Sequence, residues 1–533
     1  MKTNSVFQAF FVGMLMLCFG ACNEDETGNT NEPNTEAEPP ENQEEEDPVT
    51  ETPNNYSEYN FEEPDVTGNS FYIDPVNGSP DGDGSEANPW KTLQQVIADG
   101  LIQYHRRSDA NDPNSLIIVN EDAPVKEGDE LILRDGYHGN ISLQNFTFKD
   151  RWLTIRGQNS DAVLSQFKLI GAFKNVYLKD LKIIKDNFEG DGNYWEAEEL
   201  NRNSAGAMIY LSSGHWGEGS NVKLNNLTIK TTENTGSWSI KDWLDKSASG
   251  ITLRTVEEIE IYNCTLENLH SGISFSFTSD NCKAISNKIL NFSHDGARIE
   301  SSNIEFNYNQ VIGCIYVDSE LPEYRHHDGI QGWSRGEDNN AGTGTTKNVT
   351  LRGNLIVMGA PGDDNPGKLQ AIGCFDGFFE NWVVENNVIF TDNYHGISLY
   401  GLIGGKIVNN TVIDQVPGNE RSPWILIESH KTRGPSKNSI IANNIVSRSI
   451  GFNDEGENIR KENNYILTHD ETHTLMYEIF VDPDNFDFSL NDNEFTRENI
   501  INKGQYIEGT ESSLYDLSGK ARDEVPDLGA FEL

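Results

Sequence analysis

The 533-residue sequence predicts an all-β chain wound as a parallel β-helix, a single-stranded solenoid with loop insertions. Three observations predict it. First, an Asn followed by alternating apolar residues recurs as NNLTIK (Asn226), NCTLENL (Asn263), NKILNF (Asn287), NQVIGC (Asn309) and NLIVMG (Asn354). It continues as NNVIFT (Asn387), NNTVID (Asn410), NNIVSR (Asn444) and NNYILT (Asn464), at gaps of 37, 24, 22, 45, 33, 23, 34 and 20 residues. The short gaps fit one solenoid coil and the long ones coils with inserted loops. Second, between these lies a small residue followed by apolar residues at +1 and usually +3: SGITLRT (Gly250), SGISFSF (Gly272), DGARIES (Gly296), DGIQGWS (Gly329), QAIGCFD (Ala371) and HGISLYG (Gly396). That alternation is a strand with one buried face. Third, apolar stripes of helical period are nearly absent here, which excludes helical repeats. Two strand families per coil, joined at Asn turns, are expected. Asn suits the turn because it tolerates a left-handed backbone, and stacked amides bond along the axis.

At the N-terminus, Lys2 precedes the apolar run VFQAFFVGMLMLCFGAC, too short for a spanning helix. Its end, Phe19-Gly20-Ala21-Cys22, resembles a bacterial lipoprotein box. The resemblance implies a signal peptide over residues 1–21 and lipidation of Cys22; an ordinary signal peptide with an incidental Cys is the alternative. Asn23-Glu24-Asp25-Glu26 resembles the surface-export signal of Bacteroidota lipoproteins. The implied location is the outer membrane, lipid-anchored and facing the cell exterior, with the membrane met only through that anchor.

Residues 24–65 carry 16 Asp/Glu and no Lys or Arg, with few large apolar residues. Such a segment buries too little surface to offset chain entropy, so residues 22–65 are expected to be a solvated tether. The whole chain has a formal charge of −45 and the body after the tether about −30, which argues against nucleic acid. A monomer is expected. Beyond the leader, Cys264, Cys282, Cys314 and Cys374 lack zinc spacing and sit in apolar contexts. Small core side chains are expected, with one oxidised pair left open.

The segment FYIDPVNGSPDGDGSEANPWKTLQQVI resembles the leading segment of right-handed β-helix proteins, in which a short strand, a Gly/Asp loop and an amphipathic helix cap the open end. It implies a right-handed β-helix domain over residues 66–480 with an N-terminal capping helix around Pro89-Trp90-Lys91-Thr92-Leu93. The loop Gly78–Gly84 has carboxylates that could hold Ca²⁺, and turns equally well without a metal. Residues 481–533 lack the Asn ladder. They are expected to pack on the outside or close the last coil, with Asp527–Phe531 against the core.

The repeat aligns its own coils. With the small residue at 0, and +1 and +3 inward, positions −2, 0, +2 and +4 are expected to face out. Position −2 collects His270, His294, His327 and Tyr394. Position +2 collects Thr252, Ser274, Arg298, Gln331, Gly373 and Ser398. Position +4 collects Arg254, Ser276, Glu300, Trp333, Phe375 and Tyr400. The stretch YRHHDGIQGWSRG at 324–336 lies at the centre of this stripe. Glycines at 0 are expected to leave a groove, and loops around 315–327, 335–347 and His215-Trp216 to wall it, so that a chain-like ligand can lie there. Asp295 and Asp328 would point to the core unless the strand bends.

With its secretion signal the chain resembles a superfamily of pectate, alginate and chondroitin lyases, uronan epimerases, polygalacturonase-like hydrolases and phage tailspikes. The residues bear on the choice. Elimination at a uronate needs carboxylate neutralisation and a proton carrier. Arg298, Arg325 and Gln331 suit the first. His294, His326 and His327 suit the second, and Tyr324 or Tyr394 could return the proton. The first reading is therefore a lyase or C5-epimerase acting on a uronate polysaccharide such as alginate or pectin. In it His294, Arg298, His327 and Tyr394 are catalytic, and Arg325, His326, Asp328, Gln331, Trp333, Glu300, His395 and Tyr400 bind substrate. A hydrolase would need two carboxyl groups at a set separation. Neither paired-Asp and Gly-His-Gly signatures nor an Asp-Pro-His motif is visible, and the acidic body opposes a polyanion. Hydrolysis and non-catalytic glycan binding stay open.

Overall fold

A computed structural model describes residues 59–185, 206–315, 326–359, 368–416, 421–451, 456–467 and 472–533. The chain winds into a parallel β-helix of three sheets, with thirteen, twelve and ten strands among the described residues. Two strand families per coil are therefore corrected to three. The inward side chains form one hydrophobic cluster, aliphatic and aromatic, from Ile73 to Val446. Each interior strand pairs in parallel on both sides, so its backbone bonds are met within the solenoid.

Between the first and second sheets the chain turns at two adjacent positions that divide the work assigned to one Asn. The first position is left-handed: Asn226, Asn263, Ser286, Tyr308, Asn386, Asn409, Asn443 and Asn463 have φ of 51–59°. The second is the ladder itself: Asn287, Asn309, Asn354, Asn387, Asn410, Asn444 and Asn464. Each Nδ2 donates to the next Oδ1 at 2.8–3.2 Å. The same Oδ1 accepts the backbone N–H of the preceding ladder residue at 2.8–3.0 Å. Asn226 and Asn263 belong to the left-handed position, one residue away from the ladder.

The N-terminal cap is the helix Leu93–Ala98, started by the Thr92 side chain accepting from the Gln95 N–H. It buries Leu93 and Val96. Trp90, just before it, is buried and donates from Nε1 to Gly82 O at 2.8 Å, so the Gly/Asp loop is wrapped around an indole. Among the described residues no cluster of three His, Cys, Asp or Glu side chains is arranged to hold a metal ion. At the other end, Met476, Ile479, Phe480, Phe488, Leu528 and Phe531 pack on Val357, Phe390 and Ile413 of the second sheet. The C-terminal segment thus lies on the outside of the solenoid, with Gly529 N–H bonded to Asn443 O at 2.8 Å. The four body cysteines are buried and form no disulfide with one another.

The tether reading is corrected at its end. Residues 59–63 form a strap across the outer face of the first sheet. Phe61 stacks on Tyr262 at 4.9 Å under the Lys223 ammonium at 4.8 Å, and Tyr59 lies 5.8 Å from Tyr262. Lys179 pairs with Glu63 at 2.7 Å. Residues 1–58, with Cys22, lie outside the described residues. Among the described residues no helix is long and apolar enough to cross a membrane.

Candidate active site

The third sheet carries the aligned stripe. Its register pairs Thr252 with Ser274, Ser274 with Arg298, Arg298 with Gln331, Gln331 with Gly373 and Gly373 with Ser398, the predicted +2 column residue for residue. The +4 column slips once. A bulge after Gly332 sets Trp333 opposite Asp376 rather than Phe375.

The small-residue column does something other than open a groove. A Cβ on Gly272, Gly296 or Gly329 would strike Ile289, Val311 or Ile356 at 2.3–2.7 Å, and these are interior side chains of the second sheet. The glycines therefore sit where the chain rounds the corner between sheets, and 0 and +1 both face inward. The alternation breaks there, and the preceding residue swings out. Asp295 and Asp328, core-facing by simple parity, turn outward at this corner and join the polar stripe.

Asp295 is buried beneath His294 and Arg298. Its Oδ2 accepts from Arg298 Nε, lies 2.8 Å from His294 Nδ1, and its Oδ1 accepts the Asp328 N–H at 3.2 Å. Burial opposes its ionisation, but the neighbouring His294 and Arg298 outweigh burial and hold its carboxyl well below the usual range. Arg298 Nη2 is 2.7 Å from His294 Nδ1, and the guanidinium lies 5.9 Å from the Trp333 ring. Burial, helped by Arg298 and opposed by Asp295, keeps His294 below the ordinary histidine value. His270, His294 and His327 do stack, at 5.0 and 6.3 Å. His327, expected to face solvent, has no exposed surface.

One coil on, His326 is the exposed member, with 38% of its side chain accessible. Its Nδ1 is 2.6 Å from Asp328 Oδ2, which also accepts from Gln331 Nε2 at 3.2 Å. Asp328 is fully buried, and its Oδ1 has no hydrogen-bond partner among the described residues. Burial, reinforced by Asp295, pushes the Asp328 carboxyl up to about 7 against the bond from His326. That same bond raises the His326 imidazole above its ordinary value. Through this bond the two groups can share one proton.

His326, Gln331, Trp333, Arg335, Gly373, Phe375, Asp376 and Lys431 line a pit of 290 Å³. Gly373 makes the room: a Cβ there would lie 2.2 Å from Asp328 Oδ1 and 2.9 Å from the Phe375 ring. Trp333 Nε1 and Gln370 Oε1 are buried beside it without partners among the described residues. Glu300 is tied to Arg335 at 2.9 Å, and Lys431 to Asp376 at 2.9 Å. Lys431, which no alignment of coils could have supplied, arrives on a loop from two coils further along.

The remaining candidates form a neighbouring aromatic group. Phe375 meets His395 at 4.8 Å and Tyr400 at 5.2 Å, and Tyr394 stacks on Trp424 at 5.1 Å. His395 reaches this face through a bulge before Ile397, and burial lowers its pKa to about 4. Tyr394 thus lies with Trp424 and not in the pit. Arg325 and Tyr324 fall outside the described residues, as does most of the 315–327 loop. His215 and Trp216 follow a strand four places earlier in the third sheet than His327–Trp333 and take no part.

No family model matches the chain, and no curated protein sequence matches it. Among solved structures it is similar to pectate lyase Pel9A, with 13% identity over 88% of this chain and 97% of that one and a TM-score of 0.41. It is similar to the GH136 lacto-N-biosidase of Eubacterium ramulus, at 13% identity over 75% and 68%, TM-score 0.42. A third likeness is the alginate lyase of a Paenibacillus species, at 12% identity over 64% and 94%, TM-score 0.34. The chain itself is a parallel β-helix protein with a polar pit on its third sheet.

Proposed function

We propose that the protein is a carbohydrate-active enzyme that cleaves a uronate-containing glycan by β-elimination, with His326 as the proton carrier. The observation that carries this is the His326–Asp328 pair: a part-exposed imidazole, held at 2.6 Å by a buried carboxyl that is itself pushed up to about 7, at the mouth of a pit. Such a pair transfers protons at neutral pH. In the reaction His326 takes the proton from the carbon next to the uronate carboxylate, the electron pair forms the double bond, and the glycosidic oxygen leaves with its bonding pair. Asp328 balances the charge on the imidazolium. Arg298, assigned from sequence as a carboxylate clamp, spends Nε and Nη2 on Asp295 and His294 and is a positioning residue in this reading. The substrate carboxylate is met by Lys431, with Trp333 Nε1 as a neutral donor.

Hydrolysis has one observation in its favour. Asp376 is half-exposed in the pit, and the Asp328 carboxyl at about 7 could serve as an acid. Incubation with alginate, pectin and neutral polysaccharides separates the readings. Ultraviolet absorbance of an unsaturated uronate, lost in His326→Ala, is the expected result. New reducing ends without absorbance would replace elimination by hydrolysis, and binding without either product would make the pit a lectin-like site. We propose further that the enzyme is held at the cell surface through a lipid on Cys22. Failure of labelled palmitate to enter the wild-type chain, with Cys22→Ala as the blank, would sink that assignment.

A further inference from the structure

The stripe was expected to be a groove in which a polymer lies. The space that the structure encloses has another shape, and this bears on how a glycan reaches His326. Among the described residues, all that line the pit apart from Lys431 come from two neighbouring coils and their loops, the one with His326 to Ala341 and the one with Gly373 to Asp376. Adjacent strands lie about 4.8 Å apart, so the space extends little more than one spacing along the solenoid axis. Its 290 Å³ would hold about ten waters at ~30 Å³ each, the scale of one sugar residue, and falls at the lower limit of ligand pockets.

Both ends along the axis are filled. Toward the N-terminus, Arg335 bonds Glu300 at 2.9 Å and stands 5.0 Å from the Phe277 ring. Toward the C-terminus, Phe375 is wedged edge-on against His395 and Tyr400. The side at the strand ends is closed as well. The loop after Glu428 reaches back to the loop after Ser334: His430 Nε2 lies 3.1 Å from Gly342 O, and Arg433 donates to Thr343 O. His430 is itself stacked on Phe378 at 4.9 Å, and Lys431 bridges to Asp376. This clasp spans three strand spacings of the third sheet. Three buried polar atoms without partners among the described residues, Asp328 Oδ1, Gln370 Oε1 and Trp333 Nε1, lie at or beside the pit and suit a ligand with both donors and acceptors. A sugar hydroxyl supplies both.

We infer that the pit receives the end of a glycan chain, so that the enzyme removes a unit of fixed small size from a terminus and does not cut within the polymer. This rests on the glycan-cleaving reading above. The strand-end clasp is the part that excludes a through-running chain, so weakening it should relax the restriction.

The test follows the size distribution of the polymer and the products together, on whichever polysaccharide of the panel is cleaved. The expected result for the wild type is one small product from the first time point, while the polymer keeps its mean size. In His430→Ala/Arg433→Ala the ratio of internal to terminal cuts should rise at least tenfold, with the absorbance signal of elimination unchanged in kind. A ladder of intermediate oligosaccharides from the wild type, with early collapse of polymer size, would overturn the inference and leave the proposed chemistry standing. No product from any polysaccharide would overturn that chemistry and this inference with it.

Discussion

Two corners of the solenoid carry stacked polar side chains, and they are built to opposite ends. At the corner between the first and second sheets six of the seven ladder Asn residues are buried, all but the last, Asn464, and each interior amide gives both its hydrogens and accepts two. At the corner between the second and third sheets, His270, His327, Asp295 and Asp328 are also buried, with His294 partly exposed above them. There the carboxyls are pushed in opposite directions and Asp328 Oδ1 is left without a partner. A satisfied buried network adds stability and fixes register; an unsatisfied titratable one costs stability and holds reactivity. The same positional repeat thus yields a structural seam on one edge and a reactive seam on the other.

The sharpest way to break this contrast is at the reactive seam. His326→Ala should lower turnover by about 10²–10⁴, the usual worth of a positioned proton carrier, with the fold retained and a loss of stability no larger than that of one buried hydrogen bond, about 1–3 kcal/mol. Thermal unfolding beside kinetics checks both halves; retained turnover would remove His326 from the reaction. The complementary change is Asn354→Ala. It orphans the Asn309 N–H and amide and the Phe306 carbonyl. At about 1–3 kcal/mol for each buried group left unmade, stability should fall by about 3 kcal/mol or more, while activity per folded molecule is kept. Denaturant unfolding reads the loss.

A subtler effect concerns pH. The Asp328 carboxyl rises from 3.8 to about 7 on folding, and His326 rises with it, so the folded state binds more protons than the unfolded state between those values. The contribution of this pair to stability then falls as pH rises from about 4 to about 7, opposite in sign to that of His395, whose lowered pKa favours the fold as pH rises. Asp328→Asn removes the carboxyl's share, so its melting temperature should decline less across that range than the wild type's. Parallel curves would show that the carboxyl is ionised in the fold. The smallest effect belongs to the strap. Removal through residue 58 should change nothing, while removal through residue 65 should cost about 1 kcal/mol, the worth of an aromatic pair such as Phe61–Tyr262.

How much was legible follows from the same corners. Within a straight strand the period of two is reliable, and the +2 column from Thr252 to Ser398 was read residue for residue from alternation alone. Where the backbone turns, parity fails. The glycines taken to open a groove pack inward on the second sheet, and Asp295 and Asp328 come out. Asn226 and Asn263 were placed one residue off the ladder because Asn serves both adjacent turn positions. The bulge at Trp333 moved Asp376 into register, and Lys431 came from a distant loop. Neither leaves a mark in a pattern of alternation. The aspartate in each DG pair was a usable signal. A carboxylate ahead of a corner glycine has the outer face as its wet side, and repetition at 295 and 328 marked the seam.

A solenoid ordinarily behaves as a one-dimensional lattice, in which each coil knows only its neighbours and the ends fray first. The strap changes that connectivity. Tyr59 donates to Glu260, 201 residues away, and Lys223 holds the Glu62 carbonyl at 2.6 Å across 161 residues. From there the chain runs back to Ser70, where it becomes the first strand of the same sheet. The terminal coil is thereby stitched to coils in the interior, and it cannot peel away without first releasing Phe61 and Glu63. Amide exchange in the strand Ser70–Ile73 should accordingly be slowed toward that of Val256–Tyr262, giving the N-terminal half the cooperativity of a closed fold in place of a fraying edge.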